Sequence, residues 1–261
     1  MKLNILPARA GYLWVRSGFA LFFFKPGAFI SFFASFMLLL IALGMIPIIG
    51  NYLAMLSFPA LSLGMMVIGN ECVKIKKNVL LPAALPPLAM AWITLRHAYQ
   101  PLLQLGITFA CGFALVLLVG ASFDDGEFAR FYLQGGALSK ELVQKPGFQT
   151  AVLVTTFLYF PLAAVFWFAP ALMNWKRFPI AKSLFVSSYT VLKNWRAFGV
   201  YVLVWAAAFS MISAGVILVA GLLVGTSASA FLLLPLMLGL SSIFMASTFP
   251  TFVDCFVHQT T

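Results

Sequence analysis

Residues 27–46 of the chain read GAFISFFASFMLLLIALGMI, a run without a single charged residue. A helix needs about 20 mostly apolar residues to cross the hydrocarbon core of a bilayer, where backbone groups cannot reach water. Further runs of this kind follow at 52–69, 102–121, 150–173, 199–224 and 228–253. The sequence therefore predicts an all-α polytopic membrane protein with six transmembrane helices arranged as three hairpins.

The composition excludes the main soluble alternatives. The chain has 261 residues, of which 63% are hydrophobic and 8% charged, whereas soluble domains carry about 25% charged residues. So few polar groups cannot break up the apolar surface of a soluble protein of this size. A soluble enzyme, a nucleic-acid-binding domain and a disordered chain are excluded. The three cysteines lack CxxC spacing, which predicts no disulfide framework.

The basic residues predict how the chain is oriented. The net charge is +10, and 13 of the 16 Lys and Arg residues fall in the N-terminal segment and in the connections after the second and fourth runs. Because Lys- and Arg-rich loops stay in the cytoplasm, both termini are predicted to be cytoplasmic. Basic residues also interrupt the first 25 positions, so we expect no cleaved signal peptide and a first run that remains as an anchor.

The other side of the membrane carries one long loop, 122–149. It contains the acidic cluster Asp124-Asp125-Gly126-Glu127. The cluster lacks the ligand spacing of an EF-hand, which favours a solvated turn. A weak cation contact is the alternative.

Each hairpin is preceded by a segment that mixes aromatic and basic residues, at 7–25, 85–100 and 180–198. This pattern is typical of amphipathic helices that lie in the headgroup region. The second predicted span of each hairpin also contains a similar short motif with a proline. We therefore predict three repeats, 7–78, 80–178 and 179–258, within a single integral membrane domain, 1–261. The alternative is that Pro is simply frequent in membrane helices.

Candidate site residues are few, because no Asp, Glu, Lys, Arg or His falls at the middle of a predicted span. Two acids lie at span ends, each followed by a cysteine, in Glu71-Cys72 and Asp254-Cys255. With His97 and His258 they form a candidate functional rim that could bind a cation. The favoured alternative is that the acids are helix-end residues and that the cysteines pack as small apolar side chains. No His and Cys spacing of a metal site is present, so no metal or cofactor is predicted.

The basic face suggests a lipid partner. Each Lys or Arg near an anionic leaflet contributes about 1 kcal/mol to membrane binding. Anionic headgroups are therefore the predicted contacts of six residues: Lys74, Lys76, Lys77, Lys176, Arg177 and Arg196. The favoured alternative is that these residues serve orientation and anchoring alone. No nucleic acid is predicted as a partner, and a membrane protein partner remains open.

The N-terminal sequence resembles a known family. The motifs that carry the resemblance are LNILPARAG at 3–11, Trp14-Val15-Arg16, Gly18-Phe19 and PALSLG at 59–64. It resembles an uncharacterised family of proteobacterial inner-membrane proteins. More distantly, the span pattern resembles the membrane domain of glycerophosphodiester phosphodiesterases. The resemblance implies a bacterial cytoplasmic membrane protein and supplies no activity, cofactor or catalytic residue.

Two main functional hypotheses remain. No GxSxG, HExxH or phosphate-binding loop is present, so the protein is predicted not to be an enzyme. The first hypothesis is a non-enzymatic inner-membrane protein that binds protein partners or lipid, as an assembly or envelope factor. The second is a carrier or flippase for a small or amphiphilic molecule, suggested by the proline-broken helices. The absence of a carboxylate at mid-membrane weakens an ion-coupled version of the second.

Overall fold

The computed structural model describes residues 3–46, 49–77, 85–135, 139–224 and 226–256, with side chains outside 220–231. Within these ranges the chain forms helices and no strand. The helices are α1 (Arg9–Phe24), α2 (Pro26–Gly44), α3 (Gly50–Lys76), α4 (Pro87–His97), α5 (Tyr99–Ala121), α6 (Glu127–Gln134), α7 (Lys140–Gln144), α8 (Pro146–Phe166), α9 (Ala169–Lys176), α10 (Ile180–Lys193), α11 (Trp195–Val224) and α12 (Thr226–Phe256).

Among the residues that the structure describes, six helical stretches are long and apolar enough to cross a membrane. They are Pro26–Gly44, Gly50–Lys76, Tyr99–Ala121, Pro146–Lys176, Trp195–Val219 and Leu232–Phe256. The predicted all-α polytopic fold with six spans is therefore confirmed. The short helices α1, α4 and α10 precede the first, third and fifth spans at the places where amphipathic helices were predicted. Their location at the membrane surface and the orientation of the termini stay predictions.

Helix α3 extends beyond the apolar run that predicts it. The second run ends at Gly69, but α3 continues to Lys76. Helix formation depends on backbone propensity and side-chain pairs as well as on hydropathy, and Glu71 and Lys74 form an i,i+3 ion pair in this extension. His258 of the predicted rim lies outside the described residues.

The fourth span is discontinuous. Helix α8 ends at Phe166, and α9 begins at Ala169 with Pro170 in its first turn, where a missing N–H costs nothing. The Ser187 hydroxyl on α10 bridges the break: it accepts the N–H of Phe168 at 2.9 Å and donates to the carbonyl of Ala164 at 2.9 Å. The N–H of Phe168 and the carbonyl of Ala164 are thus bonded within the protein, as membrane-embedded chains require.

Ser187→Ala is expected to destabilise the protein by about 1–3 kcal/mol, because it leaves the buried Phe168 N–H without its hydroxyl partner. The free energy of unfolding in detergent measures this loss. Ser188→Ala is the matched control, since the Ser188 hydroxyl bonds only to carbonyls of its own helix. Equal stabilities of the two variants would contradict the bridging role.

The chain divides into two compact units. Unit 1 contains Met1–Ser35, Ser62–Arg96 and Thr190–Thr261. Unit 2 contains Phe36–Leu61 and His97–Tyr189. Each unit draws on more than one of the predicted repeats, and the three-part repeat itself stays a prediction.

In unit 1, α1 packs against both α11 and α12. Two glycines allow this close approach: a Cβ on Gly11 would overlap the backbone of α11 at Ala197 and Tyr201, and a Cβ on Gly18 would overlap Ser247 of α12. Part of the apolar face of α1 is buried by this packing. Trp14 and Phe22 are buried, and the Trp14 ring lies 5.1 Å from that of Phe198.

In unit 2, α5 packs against α8, and α6 covers both. Helix α6 lies in the long loop, after a turn at residues 122–126 that was predicted for the acidic cluster. Asp125 is exposed as expected of a solvated turn, but Asp124 is not. Asp124 is 8% exposed, and its carboxylate accepts the N–H groups of Gly126 at 3.0 Å and Phe128 at 2.7 Å, which caps α6. Gly126 adopts φ +80°, which glycine tolerates without strain. Glu127 adds an ion pair with Lys145 at 2.6 Å.

Candidate lipid-binding cleft

The predicted cation-binding rim of Glu71, Asp254, His97 and His258 stays a prediction. Glu71 and Asp254 belong to unit 1, His97 begins the second segment of unit 2, and His258 lies outside the described residues. Across the ranges that the structure describes, no group of three His, Cys, Asp or Glu side chains is arranged to hold a metal ion. Cys72 and Cys255 are fully buried, in agreement with packing as small apolar side chains.

Glu71 is a buried acid with local partners. It is 4% exposed, and its Oε1 accepts Lys74 Nζ at 2.7 Å and Asn70 Nδ2 at 3.2 Å. A buried carboxylate requires such pairing to remain charged. Lys74, predicted as a headgroup contact, therefore already neutralises an acid of its own helix, although 42% of its side chain is exposed.

Asp254 joins the two ends of the chain. Its Oδ2 accepts the indole N–H of Trp14 at 2.9 Å, and its carbonyl accepts Asn4 Nδ2 at 2.8 Å. The Asn4 N–H donates to the carbonyl of Cys255 at 3.1 Å. Nearby, Asn194 Oδ1 accepts the N–H of Leu6 at 2.8 Å. We call residues 4–6 with these bonds the N-terminal strap.

Five of the six predicted headgroup contacts are exposed. Arg196 lies 5.4 Å from the centre of the Trp195 ring, and Trp195 is itself 64% exposed. On α10, the exposed residues Phe185, Tyr189 and Leu192 accompany basic side chains at its two ends. Exposed aromatic and basic residues together are typical of a membrane interface. The exposed residues of the predicted set are Lys76, Lys77, Lys176, Arg177 and Arg196.

One of these cations lines a cleft in unit 1. The cleft has a volume of about 270 Å³ and lies between α1, α3 and α12. We call it the α1–α3–α12 cleft. It is lined by Ser17, Ala20, Leu21 and Phe24 of α1, by Val73 and Lys76 of α3, and by Phe249, Pro250, Val253 and Asp254 of α12.

The cleft combines an apolar wall with a few polar groups. Residues four apart lie on one face of a helix, so Ala20 and Phe24 share the face of α1 that lines the cleft. Lys76 is exposed and supplies an ammonium group, while Ser17 supplies a hydroxyl. A long apolar surface beside one cation matches the two parts of an anionic amphiphile.

A second cleft, of about 380 Å³, adjoins Asp254 on the strap side. It is lined by Asn4, Leu6, Pro7, Arg9, Ala10, Leu13 and Asp254. Asp254 thus borders both clefts, and the Trp14 indole fixes one of its oxygens. The acid acts as a structural link between α1 and α12.

Sequence reasoning identified Lys76 and Asp254 separately and missed the apolar residues that complete the cleft. A usable pattern is present in α1, where positions 17, 20, 21 and 24 follow the i, i+3, i+4, i+7 spacing of one helix face. Which residues of α3 and α12 meet that face depends on packing, and spacing alone does not reveal it.

The chain was compared with known proteins. No family model matches it, and no solved structure matches it. It is similar to a probable inner membrane protein of Burkholderia thailandensis, with 32% identity over 269 aligned residues that cover 99% of this chain and 95% of that protein. This likeness agrees with the resemblance to inner-membrane proteins. The more distant resemblance to the membrane domain of glycerophosphodiester phosphodiesterases stays a prediction.

Proposed function

This chain belongs to the family of inner membrane proteins that includes the Burkholderia thailandensis relative, and we propose that it is a non-enzymatic member that binds an anionic phospholipid. The proposed site is the α1–α3–α12 cleft. The observation that carries the proposal is the position of the exposed Lys76 beside the apolar wall of that cleft. As part of the same proposal, the lipid-binding protein serves as an assembly or envelope factor.

The two parts of the lipid have separate contacts in this proposal. The acyl chain lies against Leu21, Phe24 and Phe249, where it replaces contacts with bulk lipid. The phosphate lies near the Lys76 ammonium and the Ser17 hydroxyl. Neither contact requires a catalytic group, and the buried acid Glu71 is already paired with Lys74.

The alternative of a carrier or flippase gains no specific support. A transporter of this kind uses backbone groups released at a helix break to bind substrate. Here the break between α8 and α9 is closed by Ser187, which leaves those groups engaged with the protein itself.

Lys76→Ala is expected to weaken binding of a short-chain phosphatidylglycerol about fivefold, since one Lys near an anionic headgroup contributes about 1 kcal/mol. Binding to the purified protein is measured by native mass spectrometry, with the matching phosphatidylcholine for comparison. Lys77→Ala is the matched control, because Lys77 is exposed, carries the same charge and does not line the cleft.

A second variant tests the apolar part of the cleft. Ala20 is exposed and lines the cleft, so Ala20→Trp fills it without disturbing buried residues. We expect reduced binding of both lipids. If Lys76→Ala and Lys77→Ala lower binding equally, while Ala20→Trp has no effect, the basic residues act only as a diffuse charge and the site proposal is wrong.

A further inference from the structure

Unit 2 contains a cavity of about 240 Å³, between α3, α5, α6 and α8. It is separate from the α1–α3–α12 cleft of unit 1 and shares none of its residues. An apolar cavity of roughly 150 Å³ suffices to bind benzene inside a protein. The cavity in unit 2 therefore has room for a larger apolar group.

The lining is aromatic and uncharged. Phe109 and Phe113 of α5 stack with their ring centres 6.3 Å apart, and the Tyr159 ring of α8 meets Phe113 edge to face at 6.1 Å. Helix α6 contributes Phe128 and Tyr132 from one face, and the Tyr132 ring lies 5.2 Å from that of Phe113. A charged group would lie here without a counterion, which is costly.

One polar atom in this lining has no partner. Thr155 of α8 is 5% exposed, and its Oγ1 makes no hydrogen bond. A helical threonine ordinarily donates to the carbonyl four residues before it, and buried hydroxyls are nearly always satisfied. Gly120 of α5 provides the space in which Oγ1 lies. The hydroxyl is thus a buried group able to donate or accept one further hydrogen bond.

The cavity also has an opening. Thr156 is exposed, and Tyr132 and Tyr159 are 41% and 38% exposed, so hydroxyl-bearing side chains lie where the cavity meets its surroundings. Burial raises the pKa of the Tyr132 phenol, which keeps this hydroxyl protonated. The opening therefore presents neutral hydrogen-bonding groups and no charge.

We propose that this cavity binds a neutral amphiphile, with its apolar body among the rings of Phe109, Phe113 and Phe128 and one hydroxyl or carbonyl group bonded to Thr155. Aromatic rings also attract organic cations. The absence of any acid among the residues that line the cavity favours the neutral ligand. The site is independent of the lipid cleft, so either proposal can fail alone.

Photolabelling tests this site directly. The protein is placed in phosphatidylcholine nanodiscs with a diazirine-bearing octanol, and labelled residues are mapped by mass spectrometry. We expect saturable labelling of cavity residues such as Tyr132 and Tyr159, displaced by excess octanol, and weak labelling at Leu153, which is 70% exposed on α8. An octyltrimethylammonium probe with the same diazirine is expected to label the cavity weakly.

Two pairs of variants make the test specific. Thr156→Phe narrows the opening and is expected to reduce cavity labelling at least fivefold, whereas Thr150→Phe places the same ring at an exposed α8 position outside the cavity and leaves labelling unchanged. Thr155→Val keeps the side-chain shape and is expected to reduce saturable binding about fivefold, while Thr155→Ser retains it.

Four results would overturn the proposal: unsaturable labelling that follows exposure alone, stronger labelling by the ammonium probe, equal effects of Thr156→Phe and Thr150→Phe, or unchanged binding in Thr155→Val.

Discussion

Replacing Gly11 by alanine is expected to destabilise unit 1 by about 3 kcal/mol, near the upper end of the usual cost of overpacking. A Cβ at this position overlaps the carbonyl oxygen of Ala197 and the backbone nitrogen of Tyr201. Because the obstacle is backbone and not a flexible side chain, α1 has to move away from α11 as a whole. The free energy of unfolding in detergent measures the effect.

The control for this variant lies on the helix that α1 meets. Gly199→Ala in α11 adds the same methyl group, and nothing lies within 4 Å of its Cβ. It is expected to raise the stability by about 0.5–1 kcal/mol, because glycine has a higher entropy cost than alanine in a helix. A Gly11→Ala protein as stable as the Gly199→Ala protein would show that α1 does not pack on α11 as described.

Replacing Trp14 by alanine is expected to cost about 3–5 kcal/mol, the range found for large aromatic residues removed from a core. Trp14 has no exposed surface, contacts the rings of Phe198 and Tyr201, and donates its indole N–H to Asp254 at 2.9 Å. The change removes packing between α1 and α11 and the bond from α1 to α12. The unfolding midpoint and the yield of folded protein after extraction measure it.

Trp14→Phe separates the two contributions. It keeps most of the apolar ring and removes the bond to the carboxylate, so its expected cost is about 1.5–3 kcal/mol. Trp195→Ala is the control for loss of a tryptophan, since Trp195 is 64% exposed. A larger loss in Trp195→Ala than in Trp14→Ala would contradict the burial of Trp14 in unit 1.

The sequence predicts the spans because hydropathy and length follow directly from the thickness of the bilayer. It predicts less well what each apolar face touches, because lipid tails are as apolar as a protein interior. Trp14 illustrates the difference: the pattern of α1 indicates an amphipathic helix, and the structure shows the Trp14 ring packed against Phe198 of α11. The sequence pattern identifies the apolar face of α1 but not the helices that this face contacts.

The candidate sites show the same limit. In the sequence, Lys76 stands out by its charge and Asp254 by its place at the end of a span. In the structure, both residues line one cleft. Their convergence depends on contacts between helices far apart in the chain, such as the bond between Trp14 and Asp254. The cavity of unit 2 depends on α6, whose eight residues are too few to stand out within a loop. The sequence indicates this helix only by the i, i+4 spacing of Phe128 and Tyr132 after the capping residue Asp124.

The N-terminal strap has a consequence for how the protein is made. All residues of unit 2 have been synthesised once the ribosome passes Tyr189, whereas unit 1 then still lacks α11 and α12. Trp14 bonds to Asp254, 240 positions later, and Asn4 bonds to Asp254, 250 positions later, and to Cys255. Contacts this distant in sequence form late, because the intervening chain must first be in place. In the growing polypeptide, α1 therefore reaches these neighbours only after α11 and α12 have been made.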